Sequence, residues 1–144
     1  MNPNYNQTIT IYNCFRARDN PNSVKDIWQR MVLHNCFYKN VMGRSEYADR
    51  DPKMASAYTV RIPEDSRYRP YNVWRFLPEE ERRKCFTCSM KDIVVKGECL
   101  DGISGISPDT ASEMLSRNKP EAFVVTAFSD NTSHRRARHY RIGG

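Results

Sequence analysis

The chain is expected to be mainly β, a small antiparallel β-barrel with one short packed helix and long loops. Three observations carry that expectation. Alternating apolar and polar residues recur in short runs (TITIY, YTVRI), as half-buried strands require. The apolar run DIVVKGEC is followed by one short helical segment, a second apolar run (EAFVVTAF) and a basic strand ending HYRIGG, the order of the closing half of a barrel. A chain of 144 residues is also one domain's worth, residues 1–144 forming a single unit.

Along the chain, Ile9 and Ile11 point one way and Thr8, Thr10 and Tyr12 the other, giving an opening strand. Arg16 to Lys25 is polar around Asn-Pro-Asn and reads as a turn. A longer strand runs from Ile27 to Val41, with Ile27, Met31 and Leu33 on one face and Trp28 and Val32 on the other, so it is central or covered by a neighbour. Gly43 to Met54 is almost free of aliphatic residues and reads as a loop, and Tyr58, Val60 and Ile62 mark a strand that Pro63 stops. Glu64 to Trp74 is a long connection rich in Arg and Tyr, of the kind that binds a partner or stays disordered.

Pro78 to Lys84 places proline first, acids early and bases late, matching a helix dipole for a turn or two. Strands are expected at Cys85 to Ser89 and Asp92 to Cys99, followed by the glycine-bearing link Asp101 to Ser107. Ser107 is read as an N-cap, with Ala111, Met114 and Leu115 as the buried stripe of a helix that ends before Pro120. Phe123 to Phe128 and Arg138 to Ile142 supply the last strands. Trp28, Ile62, Val95 and Phe123 are expected in the core.

No run of about 18 apolar residues spans a bilayer, and the start MNPNYNQT lacks the features of a signal peptide, so a cytoplasmic site of synthesis is expected and no membrane partner. Five cysteines (Cys14, Cys36, Cys85, Cys88, Cys99) fit buried reduced thiols rather than paired bridges. Cys85 and Cys88 form a CxxC with no second pair, and strand geometry would send them to opposite faces, so no metal site is assigned. His34, His134 and His139 stand beside no recognisable nucleophile, and Glu79, Glu80 and Glu81 are matched by Arg82, Arg83 and Lys84. No catalytic or cofactor-binding residues are assigned, and an enzyme is not expected.

The chain carries 23 Lys and Arg against 17 Asp and Glu, net +6. Much of the excess sits in the basic terminal segment 132–144, where Arg135, Arg136, Arg138 and Arg141 follow the last acid, Asp130. Arg67, Tyr68, Arg69, Tyr71 and Trp74 in the long connection, together with Arg135, Arg136, Arg138 and Tyr140, are the candidate assembly-interface residues. Arginine and aromatic residues are enriched at interfaces, though the same types bind phosphate and stack on bases.

The order TITIYN, a Trp28-centred strand leading into VLHNC, YTVRIP, an aromatic loop, FTCSMKDIVVKGE, a capped helix and HYRIGG resembles the small structural proteins of the head-to-tail region of tailed phages and prophages, including the head-closure (head-stopper) type. The resemblance implies a homo-oligomeric ring in the virion neck, assembled in a bacterial cytoplasm. Portal or adaptor proteins would lie on one side, and tail-terminator or other tail proteins on the other. Loops 43–56 and 63–84, long for a minimal barrel, would be assembly or gating extensions. Non-specific contact with packaged DNA is possible for the basic tail, though docking on an acidic partner is favoured. Two other readings are a tail-completion or tail-terminator protein of the same particle and a small nucleic-acid-binding barrel related in architecture to the OB fold.

Overall fold

Seven strands pair in the order β5-β4-β1-β2-β3-β7-β6, every neighbouring pair antiparallel. They are β1 (Gln7–Phe15), β2 (Ile27–Arg44), β3 (Met54–Pro63), β4 (Ile93–Lys96), β5 (Ala122–Val124), β6 (Ala127–Asp130) and β7 (His139–Gly143). Among the described residues three short α-helices, α1 (Tyr71–Trp74), α2 (Glu79–Arg83) and α3 (Ala111–Asn118), and one 3-10 turn (Ala17–Asp19) join them. The computed structural model describes residues 3–44 and 54–144.

The sheet curls into a half-barrel rather than the closed barrel expected. Among the described residues no ladder joins the edge strands β5 and β6 side by side; only Val125 and Thr126 link them end to end. Val125 exchanges backbone hydrogen bonds with Lys91 and Asp92, whereas Thr126 N donates to Gly143 O at 2.9 Å. The Phe123 to Phe128 strand of the sequence reading is therefore two strands, broken where the chain turns from β4 to β7.

β2 is the spine. Its first half pairs with β1 and its second with β3, from Phe37↔Arg61 to Arg44↔Met54. The handover falls at Asn35, whose φ of 58° is a left-handed conformation that asparagine adopts more readily than most residues. There the register with β1 shifts by one residue between Ile9↔Leu33 and Gln7↔Cys36, and such a bulge bends a strand.

Curling buries β1 on both sides. Ile9 and Ile11 enter the main core with Leu33, Val60, Val94 and Ile142. Tyr12 faces a second cluster with Ile93, Val95 and Met114, beneath α3. Thr10, also on this second side and fully buried, donates to Gly97 O (2.8 Å) and accepts from Cys99 N (2.8 Å), so its hydroxyl is satisfied. Ile62, Val95 and Phe123 are core, as read; Trp28 is half-buried at the edge of the second cluster.

Four local readings need correction. α3 is capped by Thr110, not Ser107: Glu113 N donates to Thr110 Oγ1 (3.3 Å) and Thr110 Oγ1 donates to Glu113 Oε1 (2.7 Å), while Ser107 reaches Glu113 Oε2 (3.0 Å). Cys85 to Ser89 is not a strand and makes a single parallel bridge, Tyr68↔Phe86. The segment from Glu64 is not an open loop, because it holds α1 and α2 and buries Trp74 completely. β2 and β3 also extend into the expected loop 43–56, and residues 45–53 lie outside those described.

Candidate functional site

Segment 64–89 folds down over the half-barrel's open side because its aromatics find apolar partners there. Tyr68 lies on Tyr140 with ring centroids 4.1 Å apart and also meets Phe86 (5.8 Å) and Phe128 (6.1 Å). Two backbone bonds fix the crossing, Arg69 N to Phe86 O (2.9 Å) and Phe86 N to Arg67 O (3.1 Å). Trp74 packs against Phe15 (5.8 Å) with Cys85 beside them, and Arg82 stacks over both rings. Tyr71 donates its hydroxyl to Asp19 Oδ2 (2.8 Å), and Arg75 pairs with the other oxygen of Asp19 at 3.0 Å.

The aromatic members of the expected interface, Tyr68, Tyr71, Trp74 and Tyr140, therefore hold this chain together. Tyr140 is buried within β7, and Trp74 has no exposed surface to offer a partner. Two neighbouring arginines are engaged locally. Arg67 forms a two-bond pair with Asp65 (3.1 and 2.8 Å), which holds that carboxyl below its ordinary value, and Arg69 donates to the Ser66 and Tyr68 carbonyls. The other arginines of that candidate set lie in the exposed β6–β7 loop. Arg138 pairs with Glu64 (3.6 Å), whereas Arg135 and Arg136 are exposed and make no hydrogen bond or ion pair with the described residues.

Beneath the covering segment lies a buried polar knot. Asp92 has no solvent exposure and accepts from Cys14 N (3.0 Å), Asn13 Nδ2 (2.9 Å) and Ser89 N (2.9 Å), with Ser89 Oγ at 3.4 Å. Burial pushes its carboxyl up to about 6, with the hydrogen bonds opposing. These bonds tie β1 and Ser89 to the start of β4. The sequence reading missed it, and a lone acid at the head of an apolar run (DIVV) is the one signal that pointed there.

The thiols lie in the interior too. All five are free and buried; Cys14 and Cys36 are pushed up to about 12 by desolvation, and Cys88 is raised as well. Cys85 and Cys88 sit in different apolar clusters, so the CxxC converges on nothing. Among the described residues no three His, Cys, Asp or Glu side chains are placed to share a metal ion. His34 meets Thr8 Oγ1 (3.1 Å), and His139 lies between Ala137 O (2.6 Å) and Asn131 (3.4 Å). Between α3 and the sheet runs an open groove of about 420 Å³, floored by Ile93, Leu115 and Val124 with Arg18 and Lys91 on its rim.

Fold and surface together define a class: a curled antiparallel half-barrel whose covering segment packs Tyr68, Tyr71 and Trp74 onto it and whose net charge is +6. The chain belongs to a family described as "Family of unknown function (DUF6751)", whose model matches residues 4–144. No curated protein and no solved structure matches it. Among the described residues no helix is long and apolar enough to cross a membrane.

Proposed function

We propose that this chain is a non-enzymatic structural subunit of a tailed-phage neck, of the head-closure type. It would form a ring between portal or adaptor and tail that closes the DNA-filled head and offers the tail its attachment surface. The observation that carries the reading is the β2–β3 ribbon. Beyond Asn40↔Tyr58, where Tyr58 still exchanges backbone bonds with Gly144, its pairing continues through four further rungs, Val41↔Ala57 to Arg44↔Met54. A two-stranded ribbon with no third strand is marginal in water, and Val41 upon it is 51% exposed. A neighbouring subunit in a closed ring supplies the missing cover.

The uncovered edges of β5 and β6 and the half-barrel shape point the same way, since a sheet that does not close on itself leaves surfaces for assembly. The exposed Arg135 and Arg136 suit docking on an acidic patch of the next protein along the axis. Quantitative mass spectrometry on virions and on DNA-filled heads arrested before tail joining tests the reading. A ring-sized copy number per portal in tailless heads supports it. Presence only in free tails would move the protein to tail completion or termination, and absence from both would return the small nucleic-acid-binding reading to first place.

A further inference from the structure

The outer face of the second half of the sheet concentrates unopposed positive charge. β3 and β7 pair so that Arg61 lies directly across from Arg141, both pointing away from the core that Val60, Ile62, Tyr140 and Ile142 fill. Side chains so placed are about 5 Å apart at Cβ, and like charges there are destabilising. Arg61 is held in place by stacking on Phe37 (5.2 Å), its row partner on β2, and its Nε is shielded from solvent and lacks a hydrogen-bond partner. One row along, exposed Lys39 follows on β2, with only Thr59, Gly143 and Ala127 beside it.

No acid lies in these two rows. Carboxylates on the flanking segments are turned to other partners: Glu64 pairs with Arg138 (3.6 Å), Asp65 pairs with Arg67 (2.8 Å), and Asp130 accepts from Thr132 (2.9 and 2.6 Å). Two adjoining guanidiniums and an ammonium beside the small residues Thr59, Gly143 and Ala127 form a cradle for closely spaced anions. Protein partners are held by an apolar centre with aromatic anchors, whereas here Phe37 is covered by Arg61 and packs on buried Tyr5 (6.3 Å), so it offers a partner no open ring. Interfaces with nucleic acid are more polar and more positive.

We infer that the face built by Lys39, Arg61 and Arg141 binds the phosphate backbone of nucleic acid without sequence preference. With no free aromatic to stack on bases, it reads charge and spacing alone. The surface is distinct from the Arg135–Arg136 loop and does not require the neck reading, so the two fail separately. Within that reading it is the face turned to the DNA path.

The test is fluorescence anisotropy of the full chain with a labelled duplex of about 25 base pairs, titrated between about 50 and 200 mM salt. Three phosphate contacts predict an affinity falling on the order of 40-fold over that range. Lys39→Ala and Arg141→Ala, both at exposed positions, should each flatten the log–log salt slope by about one while circular dichroism stays native. Arg135→Ala/Arg136→Ala should leave the slope unchanged. Absence of saturable binding up to about 100 µM at the lower salt overturns the inference. So does a slope carried by Arg135 and Arg136, or displacement by poly-glutamate as effective as by competing DNA, which would make the face a dock for an acidic protein. Arg61→Ala is informative only if it folds, and the two exposed variants decide without it.

Discussion

Asn13 on β1 bonds Thr87 as a neighbouring strand would. Its Nδ2 donates to Thr87 O at 2.5 Å and its Oδ1 accepts from Thr87 N at 3.2 Å. One side chain thus replaces a rung of ladder between β1 and the strandless segment 85–89, and its remaining proton goes to Asp92 (2.9 Å). The site is buried, so each of these groups depends on the others for its hydrogen bonds.

Asn13→Ala should therefore strand both backbone groups of Thr87 and remove one of the two hydrogen bonds to Asp92 Oδ2, which keeps the one from Ser89 N. The expected loss is about 2–4 kcal/mol, read as a lower urea midpoint at unchanged m-value. A loss below about 0.5 kcal/mol would show that water replaces the amide.

Asp92 gives stability an unusual pH profile. Its folded-state value is raised to about 6 against an ordinary 3.8, so between those pH values the native state binds more protons than the unfolded chain. Stability from this group is full below about pH 4, declines as pH rises through 6, and is lower by on the order of 3 kcal/mol above that. Asp65 and Asp101 are held below their ordinary values and act at lower pH with opposite sign. Urea unfolding at about pH 4.5 and 7.5 should show the decline. In Asp92→Asn it should vanish, while the amide nitrogen faces a donor pair and costs about 2 kcal/mol throughout.

Tyr68 and Trp74 should behave as core residues. Trp74→Ala is expected to cost about 3–5 kcal/mol, and Tyr68→Ala on the order of 2 kcal/mol through its lost contacts with Tyr140 and Phe86. Thermal melts of the two variants decide it: a Tyr68→Ala protein as stable as the parent would return segment 64–89 to the status of a free loop.

The thiols should stay silent in the native protein. Buried and held near 12, Cys14 and Cys36 present almost no thiolate at pH 8, and Cys88 is raised too. A chromogenic disulfide reagent should react with all five cysteines only after denaturation, and rapid native labelling of any of these three would contradict the burial.

Arg135→Ala/Arg136→Ala should leave folding intact and impair tail joining, if those side chains dock on an acidic neighbour. Arg138 is best left in place, because its bonds to His134 O (3.0 Å) and Glu64 order the loop itself. Particles that keep their tails yet leak DNA would argue against docking.

The elements legible in the sequence were those with a clean period. β1, β3 and β4 alternate or run apolar, and the Ala111, Met114, Leu115 stripe of α3 packs as its spacing predicts. In segment 64–89 the short helix expected at Pro78 to Lys84 is α2, but the rest was misread because its packed residues, Tyr68, Trp74 and Phe86, follow no period of 2 or 3.6. They are placed by tertiary contact, which the order of residues does not display. The cap of α3 was there to be read, as Thr110 and Glu113 stand three apart, but Ser107 before a proline looked stronger. The cationic face was hidden for another reason: Lys39, Arg61 and Arg141 lie on three different strands and meet only through register.

The shared strand has a mechanical consequence. β2 is bonded to β1 along one half and to β3 along the other, so a pull on the β2–β3 ribbon along the strand axis loads both ladders in shear rather than peeling them rung by rung. Tension entering at Arg44 passes along β2, round the bend at Asn35, to the ladder that ends at Phe15↔Ile27. A chain wired this way carries a pull applied at its ribbon to the far end of the sheet through its own backbone.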